Sequence, residues 1–311
     1  MLKAFKYRLY PTKEQTRKLS ETLWLCSILY NRCLAERRDC WELGGHTVTK
    51  FDQINRLPEL KAVDERFARV HSQVLQDTVR RLDKAFEAFF RRVKAGEKPG
   101  YPRFKPARRY DSFTFPQAPS GCQLQGNKLV LSKIGTVKIK LHREVPGKVK
   151  TVTIMRQADG WYVSFACEVE AIRLAPSSEV VGVDLGIESF AITSDGEFFP
   201  SAKYLRKAER NLKRLQRTIS RRTKGSNRRK KAVRQLAKAH LHVANQRKDT
   251  AHKVARSLVN QYQTIAVEDL QVTNMLRNHH LAKSISDAGW NLFVNILTSK
   301  AAEAGREVVK V

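Results

Sequence analysis

Between residues 12 and 41, and again between 65 and 93, apolar side chains fall three or four positions apart. In the second stretch they are Phe67, Val70, Val74, Leu82, Phe86, Phe89 and Val93. This spacing predicts two long amphipathic helices. The Pro- and Gly-punctuated basic segment 96–106 ends the second one, because proline lacks the N–H a helix needs. Beyond it the period drops to two: residues 128–131, 137–141 and 149–155 alternate as strands, and Asp159-Gly160 turns the last of these into Trp161, Val163, Phe165, Cys167 and Val169. A small antiparallel sheet or barrel follows. Residues 4–9 alternate in the same way and can pair with it, which makes the helices an insertion between strands of one β domain.

After a Pro/Ser linker at 174–178 the pattern changes again. Residues 180–186 read as a buried strand, 189–193 as a second, Asp195-Gly196 as a turn and 197–199 as a third. Two helices broken at Gly225-Ser226 come next, with apolar positions Leu212, Leu215 and Ile219, then Val233, Leu236 and Val243, suited to an antiparallel coiled-coil hairpin. The second runs to about Gln261, on the order of 50 Å at 1.5 Å per residue. A buried strand at 264–270, a helix from about 285 to 304 and an apolar strand at 307–311 complete an order, β-β-β-α-β-α-β, that is that of a ribonuclease H-like sheet. The predicted class is α+β and multidomain: a β domain (1–11 and 108–175), a helical domain (12–107), and an α/β domain (178–311) carrying a basic helical hairpin at about 203–261.

Charge narrows the function. The 311 residues carry 59 Lys and Arg against 30 Asp and Glu, a net charge of +29, which calls for a polyanionic partner. With 41% hydrophobic residues the chain is not a disordered basic tail. No apolar run approaches the ~20 residues that span a bilayer, so no membrane partner is expected. The opening residues 1–8 place charges where a signal peptide would be apolar, and a cytoplasmic, nucleoid-associated protein is expected. Cys26, Cys33 and Cys40 recur every seven residues on one helical stripe with Leu19, Leu23 and Tyr30, a core pattern rather than a metal knuckle.

Two acids stand out. Asp184 sits in an apolar strand between Gly182 and Gly186, where a buried carboxylate is costly unless a metal or strong hydrogen bonds compensate. Glu268 ends a second apolar strand, and in a ribonuclease H-like order the two strand ends are neighbours. Carboxylates so placed can hold a pair of Mg²⁺ ions ~4 Å apart, one activating water and one stabilising the leaving oxygen of a phosphodiester. A Gly-x-Asp-x-Gly strand also occurs in actin-like ATPases, where its turn cradles phosphate, and a Glu-Asp pair after a strand is also a common solvated helix start. The helical insertion between Asp184 and Glu268 favours the metal pair.

Residues 203–234 hold fifteen Lys and Arg against the single Glu209, a local charge of +14. Solvated helices normally mix signs for i, i+4 support, and here almost nothing neutralises the cations. Arg214, Arg217, Arg221, Arg222, Arg228, Arg229, Lys230 and Lys231 are expected to contact phosphates. Arg103, Lys105, Arg108 and Arg109, interleaved with Tyr101, Phe104 and Tyr110, form either a second nucleic-acid contact with stacking rings or a basic linker whose aromatics enter the core. Trp290 reads as a core anchor, and His240, His242, His279 and His280 lack the spacing of a helical metal pair. No Walker loop, dinucleotide fingerprint, H-E-x-x-H motif or nucleophile elbow is present.

Taken together, these pieces resemble the transposon-encoded RNA-guided nucleases called TnpB or OrfB, relatives of type V CRISPR effectors. The resemblance rests on Tyr7-Arg8-Leu9-Tyr10-Pro11 with Gln15, Tyr30-Asn31, Gly100-Tyr101-Pro102-Arg103-Phe104, Gly182-Val183-Asp184-Leu185-Gly186, Glu268-Asp269-Leu270 and Ser284-Ile285-Ser286-Asp287-Ala288-Gly289-Trp290, in family order along the whole chain. It implies a wedge-like β domain interrupted by a helical recognition lobe, then a RuvC-type nuclease domain in which Asp184 and Glu268 are catalytic Mg²⁺ ligands. Tyr10 joins the basic residues as a nucleic-acid contact. A guide RNA encoded by the mobile element would pair with target double-stranded DNA, while the protein reads a short flanking motif. Family members continue into a zinc ribbon with two C-x-x-C pairs and a third RuvC Asp. The sequence stops at Val311 before either, so the zinc expected for the family has no ligands here and the two-metal site is incomplete. Two activities stay open: RNA-guided cleavage, and RNA-guided DNA binding without cleavage.

Overall fold

The computed structural model describes residues 1–311 and divides into two compact units, residues 2–169 and 170–311. The first is built on β1 (Leu2–Tyr10), α1 (Lys13–Gly44), α2 (Lys50–Asn55), α3 (Leu57–Val63), α4 (Ser72–Lys94), β2 (Ser112–Phe115), β3 (Cys122–Gln125), β4 (Lys128–Leu131), β5 (Gly135–Lys140), β6 (Lys148–Gln157) and β7 (Gly160–Glu168). Its seven strands are ordered β2-β6-β7-β1-β5-β4-β3. β1 lies inside the sheet, antiparallel to β7 and β5, with Phe5 opposite Phe165 and Leu9 opposite Ile139. Its alternation explains this: Phe5, Tyr7 and Leu9 are buried, while Lys6 and Arg8 lie on the other side. Thr12 and Gln15 then form a capping box that starts α1, and Gln15 Nε2 donates to the Thr136 carbonyl of β5 at 2.8 Å.

Arg8 closes the β6–β7 hairpin. Its guanidinium donates to Asp159 Oδ2 at 2.8 Å, and the Tyr162 hydroxyl donates to the same oxygen at 2.6 Å. Burial opposes ionisation of Asp159, but the hydrogen bonds from Tyr162 and Arg8 outweigh it and hold the carboxyl below its usual range. A lowered native pKa stabilises the fold above the unfolded value near ~4, and the contribution fades as pH falls through the native value. Asp159→Asn is therefore expected to cost about 1 kcal/mol at neutral pH and nothing at low pH, read as a denaturation midpoint that converges with wild type on acidification.

Cys26 and Cys33 are packed in this core, and burial pushes their thiols up to about 11 and about 12. Cys40, predicted on the same stripe, is only half-buried. The predicted single helix over 65–93 is instead a short 3₁₀ turn followed by α4, separated by Val70 and His71 in extended backbone. Ser27 Oγ and Asn31 Nδ2 both donate to the Lys105 carbonyl, and Lys105 N–H donates back to Asn31 Oδ1, which clips the proline-rich segment onto α1.

The second unit holds β8 (Val180–Asp184), β9 (Ser189–Thr193), β10 (Phe198–Pro200), α5 (Tyr204–Ser220), α6 (Asn227–Gln261), β11 (Thr264–Val267), α7 (Val272–Met275), α8 (Ala282–Ala288), α9 (Trp290–Ala304) and β12 (Glu307–Lys310). The sheet order is β10-β9-β8-β11-β12, with β8, β11 and β12 parallel and β9 and β10 antiparallel. The C-terminal half of α6 and α9 cover one face, around Val181, Val183, Leu258, Ile265, Phe293 and Leu297. Residues 170–175, expected at the end of the β domain, group with this unit instead. There Leu174 N–H donates to the Ala304 carbonyl at 3.0 Å, and its side chain packs on the same core. The helix predicted over 285–304 is broken at Gly289, whose φ of 70° ends α8 and opens α9. No helix is long and apolar enough to cross a membrane.

In the α5–α6 hairpin the buried positions are Leu212 and Ile219 against Ala232 and Val243. Val233, predicted at this seam, faces solvent, because Ala232 takes the inward position after the Ser226 cap. The hairpin is pinned at its base by Asp287 of α8, which accepts the backbone N–H of Leu205 and of Arg206 and the Arg247 guanidinium. Asp287→Ala leaves all three donors without their acceptor. It is expected to cost about 2–3 kcal/mol and to speed hydrogen exchange in the first turn of α5.

Candidate metal centre and nucleic-acid interface

In β8, Val181 and Val183 point into the core, so Gly182 and Asp184 must point to the other face. Asp184 is exposed there, which corrects the expectation that it is buried: the strand is apolar on both sides, but only one side is covered. Val183 pairs with Val267 in the parallel β8–β11 ladder, and Asp184 and Glu268 are the next residue on each strand. Adjacent strands run ~4.8 Å apart, so the two carboxylates leave the sheet side by side. Both line one open cleft of about 350 Å³ with Gly182, Ile192, Ser194 and Val311. Ser194 shapes its floor by accepting the Gly182 N–H at its hydroxyl and donating its own N–H to the Gly182 carbonyl.

Glu268 also borders a smaller cleft of about 190 Å³ with Asp269, Trp290 and Lys310. Asp269 is engaged there by Lys310 at 3.1 Å. Trp290 is buried as expected for a core anchor, and its indole N–H has no acceptor. Two carboxylate donors of hard oxygen suit Mg²⁺ rather than zinc. No cluster of three or more His, Cys, Asp or Glu placed to hold a metal occurs in the chain.

The basic hairpin presents its charge in order. Lys207, Arg210, Arg214, Arg217 and Arg221 recur on one face of α5, with Asn211 and Thr218 between them, around an open cleft of about 660 Å³. Lys207 and Arg210 were missed from sequence, although their i, i+3, i+4 spacing to Arg214 marks the same face. Among the fifteen cations of 203–234 only Lys213 has a carboxylate partner, Glu209 at 2.8 Å. Hydrogen bonds from Lys213 and Lys283 drive the Glu209 carboxyl down to about 2. Arg222, Arg228, Lys230 and Lys231 are exposed and Arg229 is half-buried.

In the first unit, Tyr10 is exposed with the Arg8 guanidinium 5.7 Å from its ring centroid, and Arg103, Arg108 and Arg109 are exposed without ion pairs. Lys105 is exposed as well, with its ammonium 4.6 Å from the Tyr30 ring centroid. The two readings of the aromatics divide by residue. Tyr110 is core, against Tyr30, whereas Tyr101 and Phe104 are exposed.

With this geometry in hand, the comparisons with known proteins are specific. A family model described as "Probable transposase" matches residues 164–279, and one described as "Helix-turn-helix domain" matches 1–46, where the structure has a strand and one long helix. A "Putative RNA-guided DNA endonuclease" of Streptomyces pristinaespiralis is 36% identical over 316 residues, covering 99% of this chain and 77% of the relative. "Putative RNA-guided DNA endonuclease InsQ" of Escherichia coli K12 is 31% identical over 328 residues, covering 100% of this chain and 80% of the relative. The chain belongs to the TnpB/OrfB family. In a cryo-EM structure of a Cas12f1–sgRNA–target DNA complex, the matched chain shares the fold of this TnpB/OrfB member, with TM-score 0.60 and 11% identity over 100% of this chain and 89% of the other.

Proposed function

We propose that this chain is the RNA-guided, metal-dependent DNA endonuclease of a mobile element, cutting target DNA beside a short flanking motif. The observation that carries the reading is the pair of exposed carboxylates at adjacent parallel strand ends, in a chain of +29 whose relatives bear RNA-guided endonuclease names. Asp184 and Glu268 would hold Mg²⁺. Bound there, the metal supplies an activated water and charge stabilisation at the leaving oxygen of a phosphodiester. The chain's own part is positional. The α5 cations grip phosphates, and Asp287 and Arg247 keep that helix fixed relative to α8.

In this reading residues 2–169 supply the wedge-like sheet and the recognition helices, and residues 170–311 the RuvC-like domain. A guide RNA encoded by the element selects the target by base pairing. One observation favours a second reading, RNA-guided DNA binding without cleavage: no third carboxylate converges on Asp184 and Glu268, the neighbouring Asp269 being engaged by Lys310. Incubating the purified chain with its cognate RNA, target duplex and Mg²⁺ separates the two. Products that require RNA, flanking motif and metal support the endonuclease; tight guided binding with no products supports the second reading, and no RNA binding at low salt rejects both.

A further inference from the structure

The end of α4 and the segment after it carry a set of rings of which Phe86 packs on the core while Phe90, Tyr101 and Phe104 stay largely outside it. Phe90 and Tyr101 each meet both Phe86 and Phe89 near the end of α4, with ring centroids 5.2–6.3 Å apart. Phe86 and Phe89 are half-buried and form the footing. Phe90 and Tyr101 stay 55% and 45% exposed, and Phe104 is 48% exposed with the Arg38 guanidinium 5.6 Å from its ring centroid. Leaving three rings half in water is unfavourable by the usual burial argument, and the neighbouring Tyr110 shows that this segment can bury a ring completely.

Charge selects the occupant. Residues 84–105 contain seven Lys and Arg against Glu87 and Glu97, and Arg91, Arg92, Lys94, Lys98 and Arg103 have no carboxylate within 4 Å. A second copy of this chain would bring like charge against like. Nucleic acid brings both a phosphate backbone for the cations and, where it is unpaired, π-faces for the rings. We infer that Phe90, Tyr101 and Phe104 form a stacking platform for unpaired nucleobases of an RNA or DNA strand whose phosphates lie on Arg91, Arg92 and Arg103. This rests on the nucleic-acid reading above and adds to it a site for single-stranded segments as distinct from duplex.

The test is binding of the full chain to oligo(A) and oligo(dA) single strands and to the matching duplex, with Phe90→Leu/Tyr101→Leu/Phe104→Leu, which keeps apolar bulk and removes the π-faces. Single-strand affinity should fall by on the order of tenfold per stacked base, with duplex affinity and the salt slope unchanged. A 2-aminopurine base in the strand should be quenched by wild type and not by the variant. Tyr101→Leu alone, a change at an exposed ring, repeats the comparison should the triple variant unfold. Unchanged single-strand affinity, an equal loss on duplex, or a wild-type dimer that the variant turns into a monomer overturns the platform. Failure of the wild type to bind any nucleic acid at low salt overturns the function proposed above as well.

Discussion

Asp184→Asn and Glu268→Gln are each expected to lower RNA-guided, Mg²⁺-dependent cleavage by on the order of 10³-fold, because a metal held by both, as proposed, would supply several kcal/mol of transition-state stabilisation. Guide-RNA affinity and thermal stability should stay at wild-type values. Both side chains are exposed on the uncovered face of the sheet, where substitutions usually change stability by less than ~0.5 kcal/mol. The contrast is what gives the result its meaning: a loss of cutting accompanied by a loss of stability would speak for a structural role, and the exposed geometry argues against that. Single-turnover cleavage at saturating RNA, beside a melting curve, reads both quantities.

The second large effect concerns salt. Lys207, Arg210, Arg214, Arg217 and the C-cap residue Arg221 follow one face of α5 over fifteen residues, about 21 Å of helix. If all five meet phosphates, their replacement by Gln should make the slope of log K against log salt shallower by roughly 3.5 to 4.5, the lower value for a single strand and the higher for B-form duplex. The slope thus also reports which kind of strand lies on the helix. Replacing Lys213, which Glu209 already engages, should shift the slope less than any one of the five. Filter binding across a range of salt concentrations gives these slopes, and a quintuple variant with the wild-type slope would remove α5 from the interface.

The adjacency of Asp184 and Glu268 was legible because two apolar runs of strand length, separated by a long helical insertion, imply parallel neighbours in this element order. Their exposure was not legible. An apolar run such as 180–183 looks the same whether a sheet is covered on one face or on two, and only packing shows that α6 and α9 cover one. Strand β1 could be read from its alternation over nine residues. The breaks at His71 and Gly289 were hidden by apolar spacing that continues across them, since periodicity does not register a change of backbone direction. Val233 fits the hairpin seam by its spacing from Leu236 and Val243, yet Ala232 is the residue that turns inward after the Ser226 cap. Tyr110 and Tyr101 lie in one motif with the same composition around them. What separates them is that the Ser27 and Asn31 clip on Lys105 draws the chain down onto α1 between them.

The central claim is that Asp184 and Glu268 grip one divalent site together. Titration of the purified chain with Mn²⁺, followed by electron paramagnetic resonance in wild type, Asp184→Asn, Glu268→Gln and the double variant, measures this without any need for turnover. A shared site is expected to lose its bound-ion signal as completely in either single variant as in the double. Binding that survives unchanged in one of the single variants would contradict it.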